Sequence, residues 1–212
     1  MKRIVVVTGA AGNLGRAVSA AFERAGDSVV GFDIETNLLD ETVLKRAVDK
    51  AVSEKKRIDV LCNIAGGFRM GKPVHETSDQ DWNFLFDINV RTALHTARAV
   101  VPHMLSAGGG KIVNVGAFAA QRGAAQMGAY TAAKSALIRM TEAMAAELRD
   151  KNINVNCVLP TVLDTPQNRA DMPKTDPRKW VAAGDLANVI VFLASDEARA
   201  IHGAALPVTG LS

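Results

Sequence analysis

The sequence predicts an α/β fold: a single-domain, doubly wound parallel sheet of six to seven strands with helices on both faces. Short runs rich in β-branched residues alternate with longer segments of helical periodicity along all 212 residues. The short runs are apolar at nearly every position, as expected of strands that are buried on both faces. Helical crossovers between parallel strands are right-handed, so the predicted architecture is a Rossmann-like three-layer α/β/α sandwich.

Each predicted strand is a short run rich in apolar residues, and each predicted helix has apolar residues three and four positions apart. The first helix, for example, places Leu14, Val18 and Phe22 on one side. Ligands of such sheets bind beyond the carboxyl ends of the strands, so functional residues are expected in the loops that follow strands. The predicted elements in chain order are strand Ile4–Val7, helix Asn13–Ala25, strand Ser28–Asp33, helix Glu41–Lys55, strand Ile58–Cys62, helix Gln80–Leu105, strand Lys111–Val115, helix Met127–Arg149, strand Ile153–Leu159, helix Asp185–Ala194 and strand Ala204–Val208.

Length and composition narrow the classes of protein. A chain of 212 residues has room for one domain, 1–212, and 48% hydrophobic with 22% charged residues excludes disorder along the whole chain. The formal net charge of +3 is a mild excess, which favours a mixed surface and a small-molecule partner over nucleic acid. The protein is therefore expected to be a globular domain with a ligand site.

The sequence shows no targeting, disulfide or metal motif. Four apolar residues before Thr8 are too few for a signal peptide, and no apolar run reaches 18 residues, so no membrane contact is expected. Cys62 and Cys157 lie in apolar strands without CxxC spacing, which predicts buried, reduced thiols. The four histidines lack ligand spacing. These observations predict a cytoplasmic protein without a metal.

A glycine-rich turn follows the first strand. The run from Thr8 to Gly15 reads Thr-Gly-Ala-Ala-Gly-Asn-Leu-Gly and opens the first helix. Glycines let the backbone turn sharply and approach a pyrophosphate, and the helix N-terminus then directs free N–H groups at that anion. The turn therefore predicts a dinucleotide-binding loop whose candidate contacts are Gly9, Gly12, Asn13, Leu14 and Gly15.

An acidic residue at the end of the second strand predicts which dinucleotide binds. Asp33 lies 18 residues after Gly15, near the ~20-residue interval expected of an acid that accepts hydrogen bonds from the adenosine ribose. Asp33 and Glu35 would repel a 2′-phosphate, so the sequence favours NAD over NADP. Arg16 is the one nearby cation that opposes this prediction.

Tyr130 and Lys134 form a candidate catalytic pair. Tyr130 is the single tyrosine of the chain, and Lys134 follows at i+4 on the same face of a predicted helix. A nearby ammonium favours phenolate and lowers the pKa of a tyrosine, which suits a proton donor or acceptor. Together with the glycine turn, the pair predicts redox chemistry on a dinucleotide.

With these motifs in place, the sequence resembles the short-chain dehydrogenase/reductase family over nearly its whole length. The resemblance implies a nicotinamide oxidoreductase in which Tyr130 passes a proton to substrate and Lys134 holds the nicotinamide ribose. Asn89 is implied to support a water-linked proton path. The resemblance further implies a homo-oligomer, dimer or tetramer, formed through the two long helices. The additional cofactor contacts that it implies are Asp40, Asn63, Ala65, Gly66, Pro160, Val162 and Thr165.

The sequence departs from the family pattern at four positions. Asn13 stands at the usual middle glycine, Ile64 replaces an asparagine, and Thr161 replaces the glycine after Pro160. The family's catalytic serine normally lies 13 residues before the tyrosine, where this chain has Ala117. That serine polarises a substrate carbonyl, so its loss predicts a substrate that needs no such donor or an impaired site.

The dihydropteridine reductase branch of the family also lacks that serine, and two stretches are similar to it. The segments Leu159–Pro173 and Cys62–Phe68 match its substrate-side loop and its Cys-x-Ala-Gly-Gly-Trp motif, whereas Asn89 resembles ordinary members. Three hypotheses follow: an NADH-dependent reductase of quinonoid dihydropterin, an ordinary alcohol/carbonyl oxidoreductase, and a non-catalytic dinucleotide-binding regulatory protein.

Overall fold

Alternating strands and helices build the fold in a computed structural model, which describes residues 2–212. Most bounds agree with the predicted elements to within one or two residues. The strands are β1 Ile4–Thr8, β2 Ser28–Phe32, β3 Val60–Asn63, β4 Gly110–Val115, β5 Ile153–Pro160, β6 Leu163–Asp164, β7 Val181–Ala182 and β8 Ala205–Val208. The helices are α1 Asn13–Arg24, α2 Glu41–Lys55, α3 Asp79–Phe86, α4 Thr92–Ala107, α5 Gly128–Leu148, α6 Pro166–Asp171 and α7 Ala183–Leu193.

Six strands form one parallel sheet in the order β2-β1-β3-β4-β5-β8, which confirms the predicted doubly wound architecture. The short strands β6 and β7 pair separately, between β5 and α7 in the chain. The order in which strands are added to the sheet changes direction at β1, because β2 lies on one side of β1 and β3 on the other. Such a reversal opens a crevice at the carboxyl ends of β1 and β3, where ligands bind in this architecture.

Apolar side chains alternate between two cores along each central strand. In β1, Val5 and Val7 join a cluster that also contains Phe22 of α1 and Ile190 of α7. The intervening Val6 points into a second cluster on the opposite face, where α2, α4 and α5 pack. Burial on both faces explains why most of the strands are apolar at successive positions. In β5, Asn154 and Asn156 alternate with apolar residues, but both asparagines are buried. Cys62 and Cys157 are buried free thiols, as predicted.

The long helix predicted at Gln80–Leu105 is interrupted, which corrects the sequence-based prediction. A π-helical turn at Asp87–Arg91 separates α3 from α4. Within that turn, the Asn89 side chain donates a hydrogen bond to the Leu85 carbonyl, an interaction that helix periodicity does not reveal. Single π turns inside α-helices are frequent at functional sites. Among residues 2–212, no helix has the length and apolar character needed to cross a membrane.

Candidate active site

The glycine turn after β1 packs directly against the loop after β3. Gly9 has φ +65°, and a Cβ at this position would approach the Ala65 Cα to 3.0 Å. A Cβ at Gly15 would lie 2.0 Å from the Gly9 carbonyl oxygen. The Thr8 hydroxyl accepts hydrogen bonds from the backbone N–H groups of Ile64 and Ala65, at 3.0 and 3.1 Å. A glycine is therefore required at position 9 for the two loops to meet, and at position 15 for the turn to close on its own backbone.

The N-terminus of α1 fits a dinucleotide phosphate. Gly12 is the N-cap and offers no side-chain cap, and the first turn contains no acidic residue. The first N–H groups of the helix and its dipole therefore suit an anion. Leu14 is buried beneath the turn, whereas Asn13 is exposed. This donor set agrees with the predicted pyrophosphate site.

Asp33 connects the end of β2 to the glycine turn. Its carboxylate accepts hydrogen bonds from the backbone N–H of Ala11 at 2.5 Å and of Ile34 at 2.9 Å. Arg16 donates to the Ala11 carbonyl and to the Asn13 side chain, at 3.1 Å for the latter. An acid and a cation therefore border the same edge of the turn, and both bear on the choice between NAD and NADP.

Tyr130 and Lys134 lie one turn apart near the start of α5, as predicted. The Lys134 side chain is buried, with 5% of its surface exposed, and its Nζ donates a 2.7 Å hydrogen bond to the Val115 carbonyl at the end of β4. Tyr130 is half-buried beside it. This anchor places an ammonium at the carboxyl edge of the sheet, the same edge as the glycine turn.

Burial shifts the pKa of each group in the direction that favours its neutral form. Desolvation raises the pKa of Tyr130 to about 12. Desolvation lowers the pKa of Lys134 to about 8, and the nearby Cys157 thiol opposes that shift. The sequence-based expectation that the ammonium lowers the tyrosine pKa is therefore wrong for this structure, in which desolvation sets the direction of the shift. At neutral pH the phenol therefore retains its proton and can donate it.

Asn89 is oriented by backbone groups on two elements. Its Nδ2 donates to the carbonyls of Gly67 and Leu85, both at 2.9 Å, and its Oδ1 accepts from the Gly67 N–H at 3.1 Å. A Cβ on Gly66 would lie 2.9 Å from the Asn89 Oδ1 and 3.2 Å from the Lys134 Nζ. Asn89, Gly66 and Lys134 therefore meet in one place, although the Asn89 amide is engaged by backbone.

Two residues expected to contact the cofactor, Asp40 and Thr165, have side chains that form hydrogen bonds to helix N-termini. The Asp40 carboxylate caps α2 by accepting from Thr42 and Val43 N–H groups, at 2.9 and 3.1 Å. The Thr165 hydroxyl likewise caps α6 by accepting from the Asn168 N–H at 3.1 Å. In these positions the side chains order the loops at the edge of the sheet, and their cofactor contacts stay predictions.

The remaining expected contacts lie on β3, β5 and the segment after β5. The Asn63 Nδ2 donates to the Asn114 Oδ1 at 2.8 Å inside the sheet. Pro160 ends β5 opposite Val208, and the Val162 carbonyl accepts from the Val181 N–H at 2.9 Å. Backbone at the ends of β3 and β5 is therefore held in place, and cofactor contacts there also stay predictions.

Ala117 follows the end of β4 and is buried, with 5% of its surface exposed. Its carbonyl accepts from the Ala120 N–H at 3.0 Å, which begins a single 3-10 turn at Phe118–Gln121. Two residues before it, Val115 supplies the carbonyl that anchors Lys134. At the chain position where the resemblance implies a serine, the side chain is thus a methyl group, two residues after the carbonyl that anchors Lys134.

Sequence reasoning did not identify the aromatic neighbour of Tyr130. The Phe68 ring meets the Tyr130 ring edge-on, with centroids 4.9 Å apart and planes at 90°. Tyr130 also borders a cavity of about 230 Å³ between the segment after β3 and the start of α5, together with Arg69, Leu85 and Gln126. In the sequence, the feature that points to this contact is an aromatic residue directly after the Gly66–Gly67 pair.

A dinucleotide-type turn and a Tyr–Lys pair with a buried ammonium, at one edge of a parallel sheet, define an oxidoreductase of the nicotinamide-dependent class. The family model described as "Enoyl-(Acyl carrier protein) reductase" matches residues 3–210. The rat "Dehydrogenase/reductase SDR family member 6" is 32% identical over 238 residues, covering 98% of this chain and 96% of the relative. The chain therefore belongs to the short-chain dehydrogenase/reductase family.

Other relatives and solved structures agree with this assignment. The 3-oxoacyl-[acyl-carrier-protein] reductase of Thermotoga maritima is 29% identical, covering 98% of this chain and 96% of the relative. Carveol dehydrogenase from Mycobacterium avium, solved with NAD, superposes with a TM-score of 0.85 at 28% identity and covers 97% of this chain and 95% of its own. ElxO with bound NADP has the same fold, with a TM-score of 0.92 at 24% identity and coverage of 99% and 98%.

Proposed function

We propose that the protein is an NAD-dependent oxidoreductase in which Tyr130 donates or accepts the proton that accompanies hydride transfer. One observation carries this proposal: Tyr130 lies one helical turn from the buried Lys134, whose ammonium is fixed to the Val115 carbonyl at the carboxyl edge of the sheet. The nicotinamide supplies or accepts the hydride when bound. The fold brings the glycine turn, Asp33 and the Tyr–Lys pair to one edge, as that chemistry requires.

Lys134 has the donors needed to hold a ribose beside the phenol. An ammonium has three N–H donors, and one of them bonds to the Val115 carbonyl at 2.7 Å. A second donor is available to a ribose hydroxyl, and the positive charge favours the phenolate that remains after Tyr130 has released its proton. Lys134 would therefore orient the ribose and, once a bound cofactor excludes water, lower the free energy of the ionised phenol.

Asp33 favours NAD as the cofactor. Its carboxylate lies against the glycine turn through the Ala11 N–H, where it can accept hydrogen bonds from ribose hydroxyls and repel a 2′-phosphate. Bound NAD in carveol dehydrogenase and bound NADP in ElxO show that structures of this fold use either dinucleotide. Arg16 is the residue by which this chain would accept NADP.

Ala117 supports a substrate that does not depend on a hydroxyl donor. A quinonoid dihydropterin is already electrophilic and becomes more stable on reduction, so it needs one hydride and one proton but no polarised carbonyl. The loop from Leu159 to Pro173 and the Cys62–Phe68 segment are similar to those of dihydropteridine reductases. The alternative is an alcohol or carbonyl substrate, of the kind named for the 3-oxoacyl reductase relative.

The mature assembly is proposed to be a homo-oligomer, formed through α4 and α5. Partly exposed Ala132, Ala136 and Met140 repeat at four-residue spacing on the outer side of α5, and Leu105 is 43% exposed on α4. Small residues permit close approach of helices. A monomer in sedimentation velocity at micromolar concentration would contradict this proposed assembly.

The protein is further proposed to reside in the cytoplasm, because its buried free thiols suit a reducing compartment.

Replacing Tyr130 by Phe tests the proposed proton step. Turnover of NADH with a panel of acceptors is expected to fall by about 10²–10⁴-fold, because general acid catalysis contributes that much. NADH affinity, measured by quenching or calorimetry, should be nearly unchanged because the ring remains. A variant that retains more than half of wild-type turnover would show that Tyr130 is not the proton donor.

The double substitution Asp33→Ser with Ile34→Arg tests cofactor choice. It removes the repulsive carboxylate and adds a cation, so kcat/KM should shift toward NADPH and away from NADH. Adding Arg16→Ala to the double variant tests Arg16 separately. NADPH use should then fall, because Arg16 is the residue proposed to contact the 2′-phosphate. A wild-type enzyme that already prefers NADPH would contradict the role given to Asp33.

Ala117→Ser distinguishes the two substrate classes. The wild type is expected to reduce quinonoid dihydropterin with a higher kcat/KM than simple ketones or aldehydes. The added hydroxyl should raise carbonyl reduction by up to roughly 10²-fold and leave pterin reduction flat or lower. Ala119→Ser, the same change two residues later, controls for general effects. Efficient carbonyl reduction by the wild type without pterin activity would refute the pterin substrate.

A further inference from the structure

The ring of Phe68 contacts the proposed proton donor without being buried itself. It meets the Tyr130 ring edge-on at 4.9 Å between centroids, yet 53% of Phe68 is exposed. Because about half of the Phe68 surface is uncovered, side-chain packing restrains the ring less than in a core, and the backbone on both sides contributes to its orientation. The residues on both sides of Phe68 provide that restraint.

Asn89 holds the residue before Phe68. Its amide forms a two-way pairing with the Gly67 peptide, accepting from the N–H at 3.1 Å and donating to the carbonyl at 2.9 Å. A third hydrogen bond, to the Leu85 carbonyl at 2.9 Å, fixes the amide to α3. The π-helical turn at Asp87–Arg91 therefore orients the peptide from which Phe68 extends.

Arg69, the residue after Phe68, is anchored through its side chain. Its guanidinium lies 3.8 Å from the Phe84 ring centroid and pairs with Asp81 at 2.9 Å. Two residues further on, the Gly71 N–H donates to the Gln126 carbonyl at 2.8 Å, which ties the segment to the loop before α5. Positions 67, 69 and 71 are thus all anchored, and Phe68 extends from the backbone between the first two of these anchors.

We propose that Phe68 is a positioning residue for the phenol of Tyr130, and that the Asn89 side chain acts on catalysis by aiming Phe68 through Gly67. The inference rests on the proposed role of Tyr130. The edge-on contact limits rotation of the phenol and covers one side of its ring. Asn89 affects the proton step through backbone geometry, because its amide is already engaged by Gly67 and Leu85.

Tyr130 is the single tyrosine of the chain, so phenolate absorbance near 295 nm reports on this residue alone. A stopped-flow pH jump on cofactor-free protein would record it before alkaline unfolding. Desolvation raises the pKa of Tyr130 to about 12, and Phe68→Ala should lower it by roughly 1, because water reaches the ring. Phe68→Trp, which keeps an aromatic ring, should retain the wild-type value.

Asn89→Ala should lower the phenol pKa in the same direction as Phe68→Ala, and the double variant should show no further lowering. Phe192→Ala removes a phenylalanine of comparable exposure, 46% against 53% for Phe68, from α7 and is the matched control. In turnover, Phe68→Ala should reduce kcat by roughly tenfold with unchanged NADH affinity, and Phe68→Trp should restore it.

Titration and turnover separate the two claims. If Phe68→Ala titrates like the wild type while its circular dichroism shows a folded protein, the positioning role is refuted. Additive shifts in the double variant would refute the route through Gly67. If the phenol titrates as expected but Tyr130→Phe does not affect turnover, the positioning stands and the proposed function fails.

Discussion

A buried ammonium at the carboxyl end of β4 is the constraint on which the site depends. Lys134 reaches the Val115 carbonyl only because α5 starts at Gly128 and packs along β5, which places its first turns over the centre of the sheet. Lowering its pKa from 10.5 to about 8 corresponds to roughly 3 kcal/mol of unfavourable desolvation. The fold tolerates this cost at a position where the charge can act on Tyr130.

The same burial favours the protonated form of Tyr130, which can donate a proton, over the phenolate. Tyr130, with its pKa raised to about 12, stays neutral at pH 7 and has little tendency to ionise. A ligand that brings ribose hydroxyls to Lys134 and excludes water would connect the ammonium to the phenolate. Under the proposed function, ionisation of the tyrosine would be coupled to cofactor binding, and the proposed role of Asn89 and Phe68 is to keep the ring in place.

The sequence was sufficient to predict the sheet and to place Tyr130 and Lys134 on one helix, because these features depend on local patterns. Apolar runs predicted the buried strands, and the spacing of Tyr130 and Lys134 predicted a shared helix face. The π turn at Asn89 could not be predicted, since it depends on hydrogen bonds to Gly67 and Leu85 that form only after folding. The contact between Phe68 and Tyr130 likewise joins residues that are distant in the chain.

Titration of the single tyrosine with and without oxidised NAD tests the central claim most directly. Absorbance of the phenolate should give a high pKa for the free wild-type protein and a value lower by at least roughly 2 in the presence of saturating NAD⁺, because the cationic nicotinamide and the ribose-bound Lys134 both favour the phenolate. Lys134→Met should bind NAD⁺ more weakly and lose most of this shift at saturation. A phenol that titrates at the same pH with and without NAD⁺ would contradict the coupling between Lys134, the cofactor and Tyr130.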